Sequence, residues 1–189
     1  GLEASNGVLL SERGAPPAFY TDFRYLTMAR RMAPWLPTHL IWKPALEPEV
    51  VAGLGHSWCR VGYEGAMPAA RFLKLQAALP DVEWVDATAL IQSLRAIKSP
   101  EEQHRMRAAI AANDRLFEKT LQQTTPGMSE WEISAIIRRE AERLGQGESF
   151  PAIACVGRNA AECHHQPDDT VLRRGQPLLV DLGLKLDHV

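Results

Sequence analysis

The chain has 189 residues, 46% apolar and 23% charged, with a net charge of −2; this balance suits a soluble globular protein and offers no basic surface for nucleic acid or an anionic membrane. The longest apolar runs, residues 108–112 and 152–156, fall far short of the roughly 18 residues that cross a bilayer, and residues 1–14 lack the basic start and apolar stretch of a signal peptide. Cys59, Cys155 and Cys163 are odd in number and share no CxxC spacing, which argues against a disulfide framework and for a reducing cytoplasm.

The first hundred residues read as alternating strands and helices. Residues 7–10 and 18–20 are short apolar runs separated by the turn-rich residues 12–17, the pattern of a hairpin or a strand–loop–strand. Residues 25–32 are predicted helical up to Pro34, and residues 39–42 return to strand. A strand at 60–63, a helix over 68–79 with Ala69, Phe72, Leu73, Leu75 and Ala78 at helical spacing, and a strand at 83–86 complete an α/β pattern. A boundary falls near Lys98, separating a domain of residues 1–97 from one of residues 98–189. There Ser99 can cap a helix, Pro100 occupies its first position and Glu102 closes a capping box. Met106, Ala109, Ile110, Asn113, Phe117 and Leu121 are expected on the buried face of that long helix. Ser129 and Glu132 repeat the device, followed by Ile133, Ile136, Ile137, Ala141 and Leu144, with Gly145 ending the helix. Residues 152–156 and 178–183 read as two strands buried on both faces.

Few residues stand out chemically. Asp181 ends an apolar run; if the strand carries it inward, its carboxylate needs a cation, a metal or a dense set of donors, and otherwise it is an exposed strand end. His164 and His165 are adjacent, so at most one addresses a given site; taken alone, both are loop histidines. Cys163 beside them is read as a small buried residue rather than a ligand or nucleophile, as is Cys155. His39, His56 and His104 have no supporting neighbours, and Asp181, Asp187 and His188 make only a weak candidate metal triad. Trp35, Trp42 and Trp58 are assigned to the core, with an interface as the other option. The doublets Arg30–Arg31, Arg138–Arg139 and Arg173–Arg174 are expected to be solvated. There is no GxSxG elbow, phosphate-cradling loop or HExxH.

The order of several segments is similar to the pita-bread metallopeptidases, which include Xaa-Pro aminopeptidase, prolidase and the non-peptidase creatinase. The segments are Phe150-Pro151-Ala152-Ile153, Val156-Gly157-Arg158-Asn159-Ala160-Ala161, His164, Arg174-Gly175 and Leu179-Val180-Asp181-Leu182-Gly183. Upstream, residues 94–102 resemble the family's link between domains, residues 125–130 its first helix–helix loop, and residues 21–25 a segment of its N-terminal domain. The resemblance implies an α/β N-terminal creatinase-like domain, incomplete at its start, followed by the first part of an α+β pita-bread catalytic domain. It implies two divalent metal ions, Mn²⁺ ahead of Zn²⁺ or Co²⁺, bound by two Asp, one His and two Glu. Asp181 matches the first Asp of that set, and His164 matches a histidine that contacts substrate; His165 receives no role. The remaining ligands would lie beyond Val189, so the complete protein rather than these 189 residues would be active. The implied reaction is hydrolysis of the bond between an N-terminal residue and proline, the implied substrate a peptide with proline second, and the implied assembly a homodimer. A creatinase-like metal-free C–N hydrolase and a non-catalytic interaction protein of the same fold are the alternatives.

Overall fold

The computed structural model describes residues 6–42, 52 and 58–187; His56 and His188 lie outside them. The chain divides into two units, Gly1–Ile97 and Lys98–Val189.

In the first unit, Gly7–Leu10 (β1) pairs antiparallel with Ala18–Thr21 (β2), from Gly7↔Thr21 to Leu10↔Ala18. The helix Phe23–Met32 (α1) starts at Asp22, whose carboxylate accepts from the Arg24 amide at 3.0 Å, its guanidinium at 2.7 Å and the Asn6 amide at 2.8 Å. That bond to the Arg24 side chain holds the Asp22 carboxyl well below the usual carboxylate range, and capping satisfies an amide that the first turn would otherwise leave orphaned. Thr38–Leu40 (β3) returns parallel to β2. Arg60–Tyr63 (β4) and Glu83–Asp86 (β5) form a separate parallel pair; parallel strands need a crossover, and Ala69–Ala78 (α2) lies between them in sequence. Ile41 and Leu75 anchor a core with Val8, Leu10, Tyr20 and Trp84, while Phe19, Ala29, Ala33 and Leu36 form a smaller cluster.

Two features of this unit differ from expectation. Thr88–Ala96 is a helix (α3) with no buried residue, and nothing in the pattern announced it. Trp35 and Trp42 are 73% and 82% exposed rather than core, whereas Trp58 packs against the Ile41–Leu75 cluster.

The second unit is built on two helices, Pro100–Gln123 (α4) and Glu130–Leu144 (α5), and both begin with the expected capping boxes. Ser99 and Ser129 accept from the amides of Glu102 and Glu132, whose carboxylates return to the serine amides at 2.7 and 2.8 Å. Ile133, Ile136, Ile137 and Ala141 of α5 are buried as expected. On α4 the buried face is Ala109, Ala112, Leu116 and Thr120, while Met106, Ile110, Phe117 and Leu121 are exposed. Three of those four expected positions are displaced by one residue from the buried ones, about 100° around a helix. Ala109 is buried as expected, whereas the larger side chains beside it turn outward.

Ile153–Val156 (β6) pairs antiparallel with Leu178–Asp181 (β7), Ile153 opposite Asp181 and Val156 opposite Leu178. Ala152, Ala154 and Val156 join Ala112, Leu116, Ile133, Ile137 and Ala141 in one core, and Leu178 and Val180 pack against it. Successive strand residues point to opposite faces, so Leu179 and Asp181 face away, and both are exposed. Among the described residues β7 is therefore covered on one face, where the sequence pattern reads as a strand buried on both. Gly183 allows a close approach: a Cβ there would meet Ser149 Oγ and the Phe150 ring.

Candidate functional site

The densest polar arrangement of the second unit converges on Glu130, the first residue of α5, whose side chain is 0% exposed. Its Oε1 accepts from the Val156 amide at 2.6 Å and from the Asn159 side-chain amide at 3.1 Å. Its Oε2 accepts from the Asp168 amide at 3.0 Å and lies 3.0 Å from His165 Nε2. Backbone answers in the other direction, since the Glu130 and Trp131 amides donate to the Thr170 and Asp168 carbonyls at 3.1 and 3.3 Å. The capped start of α5 brings these groups to the end of β6, where Gly157 at φ 59 turns the chain into the 3-10 segment Gly157–Ala161.

His165 sits among carboxylates: Glu130 at 3.0 Å from Nε2, Asp168 at 3.6 Å from Nε2 and Glu162 at 3.4 Å from Nδ1. Burial alone would push its pKa down, but the hydrogen bond and charge of Glu130, helped by Glu162 and Asp168, outweigh it and raise the pKa above the ordinary imidazole value. Asp168 is held low, chiefly by the Thr170 side chain and next by the Thr170 amide, which donates at 2.6 Å. Burial pushes the Cys155 thiol up, with Glu130, Glu162 and Asp168 adding to it.

Among the described residues, Glu130, His165 and Asp168 also form the one group of three side chains with metal-ligand atoms within 4.8 Å of each other. The donor set does not suit a cation. Each Glu130 oxygen already receives two N–H donors, and a carboxylate oxygen has two good lone-pair directions, so a metal would have to displace hydrogen bonds that burial makes expensive to break. The group is a structural carboxylate with its shell filled.

The residues singled out from the sequence lie elsewhere. His164 is exposed, and Asp181 is exposed at the end of β7; neither side chain has a hydrogen-bond or ion-pair partner among the described residues, and the structure does not bring them into the Glu130 group. Asp187 is exposed with φ 48, and its proposed companion His188 is not described. His165, given no role from the sequence, has a side chain only 14% exposed and is tied to Glu130. Cys163 is exposed, so the reading of it as a buried residue is corrected, while Cys155 is buried. His39 stacks on Tyr20 at 4.9 Å. As to a pair of divalent cations, Asp181 offers a hard oxygen donor with its lone pairs available, which fits one ligand of such a site. A single carboxylate does not make the whole of it, because hard cations each take several oxygens.

Known proteins give the frame for these positions. Residues 1–97 match the Creatinase/Prolidase N-terminal domain and residues 104–189 match Metallopeptidase family M24. The chain is 29% identical over 185 residues to the probable dipeptidase PepE of Mycobacterium tuberculosis, covering 96% of this chain and 49% of that protein. Among solved structures it is similar to the Xaa-Pro dipeptidase of Bacillus anthracis, at 25% identity and TM-score 0.84, over 97% of this chain and 52% of the other. The X-Pro aminopeptidase of Thermotoga maritima shares the fold at 21% identity and TM-score 0.86, over 98% and 53%. The chain thus spans about half the length of the relatives it matches.

Proposed function

Since the chain belongs to the pita-bread metallopeptidases of family M24, with a creatinase/prolidase N-terminal domain ahead of the catalytic one, we propose that the complete protein hydrolyses the peptide bond between an N-terminal residue and a following proline. The observation that carries the proposal is Asp181. Its side chain stands exposed at the end of β7 without a hydrogen-bond or ion-pair partner among the described residues, as a carboxylate reserved for a ligand would be. Relatives named as dipeptidases, with which the likeness runs through nearly all of this chain, support the reaction class.

In this reading Asp181 holds one oxygen toward a pair of divalent cations, Mn²⁺ being the first choice for an oxygen-rich site and Zn²⁺ or Co²⁺ the others. Bound metal would supply an acidified water and polarise the scissile carbonyl. His164, exposed on the loop that follows β6, contacts the peptide. The substrate is a peptide with proline at its second position, the assembly a homodimer and the compartment the cytoplasm. Among the described residues no helix is long and apolar enough to cross a membrane.

The test uses the full-length gene product with Mn²⁺, an Xaa-Pro dipeptide and a longer Xaa-Pro peptide. Asp181→Ala is expected to lower kcat/KM by more than roughly a hundredfold, since even residues that only support metal ligands cost 10- to 100-fold. Equal rates remove Asp181 from the mechanism. Hydrolysis of creatine instead of the peptides would replace the reading with the metal-free C–N hydrolase, and turnover of neither would leave the interaction protein.

A further inference from the structure

The loop from Gly157 to Asp168 carries His164 but has little of its own to fix it. It forms no strand ladder, and its internal backbone bonds are those of a 3-10 segment and a turn, including Glu162 N–H to Asn159 O at 3.0 Å and His165 N–H to Glu162 O at 3.2 Å. Glu162, Cys163, His164 and Gln166 are all exposed, so side-chain packing does not set the middle of the loop. Its two ends, however, reach the same carboxylate. The Val156 amide and Asn159 side chain bind Oε1 of Glu130 on the way in, and His165 and the Asp168 amide bind Oε2 on the way out.

We propose that Glu130 and His165 are positioning residues that close this loop like a clasp and so hold His164 where substrate meets it. The proposal rests on the reading of His164 as a substrate contact. Charge-assisted bonds to a carboxylate are stronger than neutral ones, and Glu130 is out of water, so its four donors confine the loop more firmly than exposed contacts would. His165 adds the arm nearest to His164: its own ring is turned inward against Glu130, while His164 is exposed and its side chain has no partner among the described residues. The titratable groups that face His165 are Glu130 from α5 and Glu162 and Asp168 from the loop itself, while the Cys155 thiol on β6 lies in the field of the same three carboxylates.

Full-length protein carrying His165→Ala, His164→Ala or both separates positioning from general stability. His165→Ala is expected to lower kcat/KM for an Xaa-Pro dipeptide by roughly 10- to 100-fold, the range typical of residues that orient a functional side chain. His165→Gln keeps one N–H donor and is expected to recover most of that loss. Because the effect passes through His164, the double variant should be no slower than His164→Ala alone. Hydrogen exchange at the Asp168 amide should quicken by roughly tenfold or more in His165→Ala, the equivalent of one charge-assisted hydrogen bond. Unchanged turnover in His165→Ala, additive losses in the double variant, or unchanged exchange at Asp168 would each overturn the clasp. If the unsubstituted protein cleaves no Xaa-Pro peptide, the peptidase reading falls by itself, and the Asp168 exchange rate still decides whether the clasp exists.

Discussion

Glu130 at the start of α5 and Asp181 at the end of β7 are two carboxylates of one unit that the fold uses in opposite ways. Glu130 is fully buried and each of its oxygens takes two N–H donors. Asp181 is exposed and has no partner among the described residues. A buried carboxylate survives only with its hydrogen-bonding capacity filled, and a filled carboxylate has nothing left for a ligand. Availability, rather than burial or proximity to other ligand-type side chains, therefore separates the candidate for chemistry from the structural group. Proximity alone points the other way, since the Glu130, His165 and Asp168 atoms lie within 4.8 Å of one another, while of the two carboxylates Asp181 is the one whose side chain has no hydrogen bond among the described residues.

The sharpest way to break this contrast is Glu130→Ala. Removal leaves the Val156 and Asp168 amides, the Asn159 side chain and His165 without their acceptor. Stranding partners of a buried charge costs on the order of 3–5 kcal/mol, and chemical denaturation of the full-length protein should show a loss of that size. A change below about 1 kcal/mol would mean that Glu130 is not the organising group, since ordinary surface substitutions already fall within about 0.5 kcal/mol.

How far these two residues were legible in the sequence follows from the range of their contacts. The capping boxes at Ser99 and Ser129 depend on residues three positions apart, and local spacing announced both. The face of α5 was equally plain, because its isoleucines repeat at helical spacing. The face of α4 is legible only in part: Ala109 is buried as its spacing predicts, but the larger Met106, Ile110, Phe117 and Leu121 are exposed and Ala112, Leu116 and Thr120 complete the buried side. Glu130 was missed because its partners lie 26 to 38 residues ahead of it, beyond the reach of any periodicity; its only local signal is an acidic residue directly after an N-cap, where helix dipole and capping already explain it. His165 receives no role from the sequence because it neighbours His164 and its bond to Glu130 spans 35 residues. Asp181 stands out locally as an acid ending an apolar run, but only the order of family-like segments gives it and His164 a role; of its two local readings, inward or exposed strand end, the described residues show the exposed one.

A smaller effect sharpens the contrast through pH. The carboxylates around His165 raise its pKa in the folded chain above the ordinary value of about 6.5, against the opposing pull of burial. A folded-state pKa above the unfolded one stabilises the protonated form, so this contribution is fully present below about pH 6.5 and is lost as pH rises through the folded value. The stability advantage of the unsubstituted protein over His165→Gln should therefore be largest in mildly acidic buffer and shrink toward alkaline pH, read as denaturation midpoints across the series. An advantage that stays constant would show that the imidazole carries no extra charge in the folded state and that Glu130 is held by its neutral donors alone.

The smallest effect on stability is the most telling about Asp181. Among the described residues its side chain makes no bond, and β7 keeps its pairing with β6 through backbone groups that a change at Cβ leaves alone. Asp181→Ala should then shift the unfolding free energy by no more than about 0.5 kcal/mol, as for other exposed positions, in the same full-length protein whose kcat/KM it is expected to lower by more than roughly a hundredfold. The pairing of those two readouts carries the argument. A residue that stabilises the fold loses activity and stability together, whereas one kept for a ligand loses activity alone. In metal-free buffer Asp181→Ala and the unsubstituted protein should melt together; adding Mn²⁺ should raise the melting temperature of the unsubstituted protein, because a ligand bound only to the folded state stabilises it, and should raise that of the variant less. Equal stabilisation of both by the metal would place the cation on other residues and return Asp181 to the ordinary exposed surface.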